Sequence, residues 1–219
     1  FVSSDQGVSW QSISGDLPED TIVWAIEQDH VDHELLFIGA EYGVHVSVNG
    51  GQNWHKLAGA PPISFRDIVL HRPSGDLVGA TFGRGFYVLD DYTALRHLHK
   101  DTLTADAALL PVRDAWWYVP HQTAQSEGQP TLGSTAFAAK NPDAGACFTY
   151  HLSADVLSLN KQRHLLEKAA VNDQCDIAWP GWDALADERT TTDPRVFLVV
   201  RNAHDQVVRR LAGATTSGL

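Results

Sequence analysis

Two octets, SSDQGVSW at residues 3–10 and SVNGGQNW at residues 47–54, share the skeleton Ser-x-Asp/Asn-x-Gly-x-x-Trp at a spacing of 44 positions. The chain around them repeats too. At an offset of 42, WAIEQD (24–29) falls on RDIVLH (66–71), and FIGAEYGVHV (37–46) falls on LVGATFGRGFYV (77–88) after small adjustments. Each unit holds a β-type run, a turn, a second run ending in small residues, a Gly, and a third run alternating with period 2, as in VHVSV and FYVL. A period near 42 with about four short strands per unit points to β-propeller blades, because the units of a helical solenoid would show a 3.6-residue period. Residues 1–98 are therefore read as terminal propeller blades, two of them preceded by the tail of an earlier one.

The octets have a mechanical reading. Asp5 and Asn49 are residue types whose side chains close a turn on backbone N–H groups, and Gly7 and Gly51 supply the positive φ such a turn requires. Trp10 and Trp54 then open an outer strand, where an indole can be buried between neighbouring blades. In this pattern the octets resemble the Asp-box, or bacterial neuraminidase repeat, of sialidases, sortilin-type receptor propellers and related bacterial proteins. The first copy fits every fixed position, whereas the second has Asn49 for Asp and Asn53 for the penultimate Ser/Thr. The resemblance implies that Ser3, Asp5, Gly7, Trp10, Ser47, Asn49, Gly51 and Trp54 brace the fold at its periphery, away from any sugar pocket.

Downstream, LVGATFGRGFYVLDDYTALRHL (77–98) is similar to the segment that closes the propeller in large bacterial sortilin-like Asp-box proteins of the "glycosyl hydrolase" type. The third blade has no Asp-box, and Asp90 and Asp91 stand where one would begin. The likeness continues through NPDAGACFTYHL (141–152), NKQRHLLEKA (160–169), WPGWDALADER (179–189) and VFLVVRNAHDQVVRRL (196–211), and so covers most of the chain. It implies a mainly β protein in which residues 99–135 are a connector and residues 136–219 an incomplete fibronectin-like β-sandwich, truncated at TTSGL. ACFTYHL (146–152) reads as a strand, and RVFLVVRN and QVVRRL as a hairpin. A helical insertion lies between them. Ser153 or Asp155 caps its first helix, Leu159, Leu166, Ala169 and Ala170 share one side, and a second helix starts at Pro180.

Composition limits the partners. With 16 Lys plus Arg against 27 Asp plus Glu, the net charge of -11 leaves no broad basic face for nucleic acid. The longest apolar runs, such as VFLVV (196–200), fall well below the ~20 residues of a membrane helix, so no membrane span is expected. The sequence shows neither Met nor a signal peptide and reads as a piece of something longer. The resemblance implies export to the periplasm, cell surface or medium. That compartment favours a disulfide between Cys147 and Cys175, the only two cysteines, over a pair of free thiols. It would close a loop of about 29 residues.

Several clusters imitate active sites. DHVDHE (29–34) holds Asp29, His30, Asp32, His33 and Glu34 but lies in a turn, where polar residues are expected anyway. RHLH offers only the pair His97 and His99, short of a zinc set. Adjacent Asp90 and Asp91 point to opposite faces of a strand and read as turn formers. Arg66, Arg84, Glu41 and Tyr42 are the nearest approach to a sialidase-type set, yet Glu41 and Tyr42 adjoin in one strand instead of converging from different blades. Trp116, Trp117 and Tyr118 read either as a glycan-stacking platform or as a plug packing the connector, and the plug is preferred because no polar constellation accompanies them. No catalytic, cofactor-binding or metal residues are therefore assigned. The expected function is a structural and ligand-binding segment of an exported bacterial sortilin-like Asp-box propeller protein, with a protein or glycan ligand and the remaining blades of its parent as partners. The alternatives are the C-terminal part of an exo-acting, sialidase-like glycoside hydrolase whose active site lies in other blades, and a carbohydrate-binding module.

Overall fold

The computed structural model describes residues 1–115 and 145–218. The chain is mainly β, built from small antiparallel sheets of which none is closed. It divides into two compact units, one of residues 1–100 and 110–149, the other of residues 101–109 and 150–219. Part of the expected connector thus belongs to the second unit. The trio Trp116, Trp117 and Tyr118 lies outside the described residues.

The first unit contains two consecutive meanders. Strands β1 (Val23–Gln28), β2 (Leu36–Ala40), β3 (Gly43–Ser47) and β4 (His55–Lys56) form one sheet, and β5 (Phe65–His71), β6 (Asp76–Thr81) and β7 (Phe86–Leu89) the other. Their registers coincide. Ile26 pairs with Ile38 and Ile68 with Gly79, and in each first strand the register shifts once, leaving Trp24 and Arg66 as the extra residues. A core made of Leu35, Phe37, Val44 and Val46 from the first meander and Phe65, Ile68, Leu70 and Leu77 from the second joins the sheets. Gly39 and Gly79 leave room for Phe65 there, since a Cβ on Gly79 would stand 2.6 Å from its ring and one on Gly39 2.8 Å from its carbonyl oxygen. The repeated Gly-Ala of FIGA and LVGA is thus a packing requirement.

After β7 a 310 helix (Tyr92–His97) begins, capped by the Asp91 side chain, which accepts from the Thr93 N–H. It carries Tyr92, buried in the core edge-on to Phe37 with ring centroids 5.2 Å apart, and Arg96. Both reach Asp29. The Asp29 carboxylate accepts from Arg96 Nε and Nη2, each at 2.8 Å, from the Tyr92 hydroxyl at 2.7 Å, and from the N–H groups of Val31 and Asp32. Asp29 therefore closes the β1–β2 turn as expected and is, besides, a buried clamp between that turn and the 310 helix.

In the second unit β8 (Ala107–Leu109) pairs with β9 (Tyr150–Leu152), following helix α1 (Lys100–Thr104) at the unit boundary. Helices α2 (Leu159–Asn172) and α3 (Trp182–Thr190) precede a hairpin of β10 (Val196–Arg201) and β11 (Val207–Gly213). Three expectations change. Ser158, not Ser153 or Asp155, caps α2 with its hydroxyl, while Asp155 accepts from the Ser217 N–H instead. Leu159, Leu166, Ala169 and Ala170 are not buried; α2 is held to α3 by Arg163, which donates to Glu188 and Glu167. Cys147 and Cys175 are both free and exposed. Cys147 lies in irregular chain ahead of β9 and not within the strand read over 146–152, whereas Cys175 lies just after α2, its N–H donating to the Ala170 carbonyl.

Burial by itself would raise the Asp29 carboxyl, but Arg96, the Asp32 N–H, the Tyr92 hydroxyl and the Val31 N–H outweigh it and hold the group well below the usual carboxylate range. Tyr92, desolvated and bonded to that carboxylate, is pushed up to about 12. Asp29→Asn or Arg96→Ala leaves a buried charge without its partner and should cost about 3–5 kcal/mol in chemical denaturation. The carboxylate's contribution is complete above pH ~4 and fades as the pH falls below that value. Stability between pH 6 and pH 2 should therefore drop more steeply in the parent than in Asp29→Asn.

Candidate functional site

The two octets fold into the same hydrogen-bonded turn. In the first, the Ser3 hydroxyl accepts the Gly7 N–H and donates to Asp5 Oδ1, while Asp5 also accepts the N–H and the hydroxyl of Ser9. Ser9 and, after it, Ser3 lower the Asp5 carboxyl to about 2. In the second, Ser47 takes the Gly51 N–H and donates to Asn49 Oδ1, which accepts the Asn53 N–H. The side-chain link reverses here: Asn49 donates its amide to Asn53 Oδ1 at 3.0 Å. The two apparent departures from the pattern compensate each other. Asn53 then has its own amide free to donate to Asp16, whose other oxygen accepts the Trp54 N–H.

The two tryptophans part company. Trp54 is 8% exposed, packed on Leu36, Ile38, Ile13 and Leu17, and its indole N–H donates to the Ile13 carbonyl. Trp10 is 64% exposed. Same motif, different neighbours: an indole is buried only where an adjoining sheet face stands beside the turn.

At the end of the meanders where β1 and β5 start, the two bulge residues meet. The Arg66 guanidinium lies over the Trp24 ring at 3.6 Å and 5.2 Å from the Phe82 ring centroid. Glu41, from the two-residue β2–β3 turn, accepts the Trp24 indole N–H at 2.8 Å and stands 3.9 Å from Arg66. Phe82 and Arg84 sit in the β6–β7 turn, which Gly83 and Gly85 close with positive φ. Tyr42 and Phe82 are about two-thirds or more exposed, at 68% and 72%. A cation–π stack of this kind holds a delocalised positive charge between outward-facing rings. It suits the docking of a planar, apolar or anionic group. Both contacts of Glu41, with Trp24 and with Arg66, fall on its Oε2.

Beside the stack a cleft of about 180 Å³ is lined by Asp20, Thr21, Glu41, Tyr42, His45 and Lys56. Burial first, and Lys56 second, keep the His45 imidazole below its ordinary pKa. Among the described residues no group of three or more His, Cys, Asp or Glu is arranged to hold a metal. Of the residues singled out from sequence, the structure gathers Glu41, Tyr42, Arg66 and Arg84 at one end of the meanders. Trp24 and Phe82 were missed, although Trp24 and Arg66 are the aligned first residues of WAIEQD and RDIVLH.

Trp54→Ala should cost about 3–5 kcal/mol, and Trp10→Ala, on a largely exposed side chain, within about 0.5 kcal/mol, read as unfolding midpoints in urea. Asn49→Asp and Asn53→Ser should each lose about 1 kcal/mol, and the double change, which rebuilds the first octet's pattern, should recover most of it; strict additivity would deny the compensation. Compared with protein-family models, with curated proteins and with solved structures, the chain finds no match in any of the three.

Proposed function

We propose that this chain is a structural and ligand-binding segment of an exported, sortilin-like Asp-box propeller protein, and that it is not itself catalytic. The observation that carries the reading is the repeated bulge: equivalent positions in two successive meanders put Trp24 and Arg66 in contact at one end, with Glu41 and Phe82 around them. A repeat that places a different functional side chain at the same point of each unit builds a composite surface from successive sheets, as propellers do at one end of their stack.

The sheet faces support the same reading. Phe37, Val44 and Val46 of the first meander are buried in the core it shares with the second. By register their counterparts in the second are Val78, Phe86 and Val88, and of these Phe86 and Val88 are exposed. Such a stack is suited to continue into further blades. The hydrolase alternative has less behind it, because Arg66 is engaged by two rings and Glu41 by Trp24.

Arrays of acidic and neutral glycans and of peptides, probed with the full chain, should yield a ligand whose affinity falls at least tenfold in Arg66→Ala and in Phe82→Ala while the unfolding midpoint of Phe82→Ala stays unchanged. Binding indifferent to both substitutions would remove the site. Turnover of aryl glycosides lost in Glu41→Gln would favour the hydrolase.

A further inference from the structure

The same equivalence identifies a second surface, which goes beyond the reading above and uses none of the residues of the Arg66 stack. Because the registers coincide, Leu36 corresponds to Leu77, Ile38 to Gly79, His45 to Tyr87, Val46 to Val88 and Ser47 to Leu89. In the first meander β4 covers the edge of β3, pairing Lys56 with His45 and His55 with Val46. Trp54, the residue before β4, fills the socket formed by Leu36 and Ile38 with Ile13 and Leu17 of the preceding segment.

The second meander reproduces that socket. Leu77 and Gly79 replace Leu36 and Ile38, and Leu57 and Pro61, each 44 positions after Ile13 and Leu17, form the other wall. With Tyr87 and Leu89 they line a groove of about 280 Å³, which is room for one large side chain and below the usual size of a small-molecule site. The Phe65 ring takes the space that glycine leaves at position 79 and lines the groove as well. Alongside runs the free edge of β7, which no described strand pairs with. Phe86, Tyr87, Val88 and Leu89 are all exposed there, without charge, proline or bulge, the features that ordinarily protect an edge.

We propose that β7 and this groove receive an extended segment of a polypeptide other than this chain, running antiparallel to β7 and anchored by one aromatic side chain. The chain's own β4 specifies the occupant: an aromatic residue opposite Leu89, two residues pairing with Val88 and Tyr87 as His55 and Lys56 pair with Val46 and His45, then an apolar residue in the place of Leu57, whose N–H donates to the Val44 carbonyl. Strand addition supplies backbone hydrogen bonds, and the aromatic in its socket supplies the selectivity.

The probe is the peptide Asn-Trp-His-Lys-Leu-Ala, the sequence of residues 53–58, titrated into the full chain by calorimetry, with hydrogen exchange read at residues 86–89. Binding that protects those amides is expected, weakened tenfold or more when the peptide's Trp is Ala and when the protein carries Leu89→Lys. Val69→Lys, an exposed change on β5 away from the groove, should leave it intact. Should Leu89→Lys not fold, the exchange pattern and the Trp-to-Ala peptide still decide the matter. No binding at millimolar peptide, equal binding of the Trp and Ala peptides, or binding without protection at 86–89 would overturn the proposal. So would self-association abolished by Trp10→Ala, which would make a second copy of this chain the occupant. Loss of ligand at the Arg66 stack would leave these readouts untouched, so the two proposals fail separately.

Discussion

The first unit depends on a carboxylate taken out of water. Asp29 is 1% exposed, and a charge so placed persists only if the protein replaces its hydration. Arg96, 67 positions later, provides a two-pronged guanidinium, Tyr92 a hydroxyl, and the local turn two N–H groups. The donors come from two separate parts of the fold, so the clamp forms only when the β1–β2 turn and the 310 helix after β7 are both in place. Hydrophobic contacts between the meanders tolerate small shifts, whereas a bidentate ion pair does not. The clamp therefore sets how the second meander ends against the first, and with it the register of the shared core.

On that frame the repeats do different work at each end. The bulges present Trp24 and Arg66 together, and the octet turns end in Trp10 and Trp54. Trp54 finds a sheet and a preceding segment to bury it, while Trp10, in an intact turn of the same kind, does not. The turn and the packing are thus separable: the hydrogen-bond circuit forms from eight consecutive residues, but the indole's contribution comes from a neighbour.

Much of this was legible early. The alternation of VHVSV and FYVL, the Gly-Ala pairs and the octets are local signals, and strands and turns stand where they point. The Asp29 cluster was not legible as a clamp, because its partners lie in RHLH and DDYTALRH, segments that local reading assigns to a histidine pair and a turn. The helical insertion failed for the opposite reason. Leu159, Leu166, Ala169 and Ala170 do share a side of α2, yet spacing cannot say whether anything covers that side. Taken singly, Asn49 and Asn53 are losses from the first octet's pattern, and only their mutual hydrogen bond shows that the pair keeps the side-chain link with its direction reversed.

By itself the sequence determined what short-range chemistry can determine: a mainly β chain, repeated meanders, two braced turns, a hairpin near the end, and a net charge of -11. The tertiary structure decided which of two equivalent tryptophans is buried, that Asp29 is a clamp, that Cys147 and Cys175 are free thiols, and that Trp24, Arg66, Phe82 and Glu41 converge. The division has a physical cause. Backbone propensity, alternation and turn closure act within a few residues, whereas burial, ion pairing and stacking depend on which distant segments are brought within about 4 Å of one another.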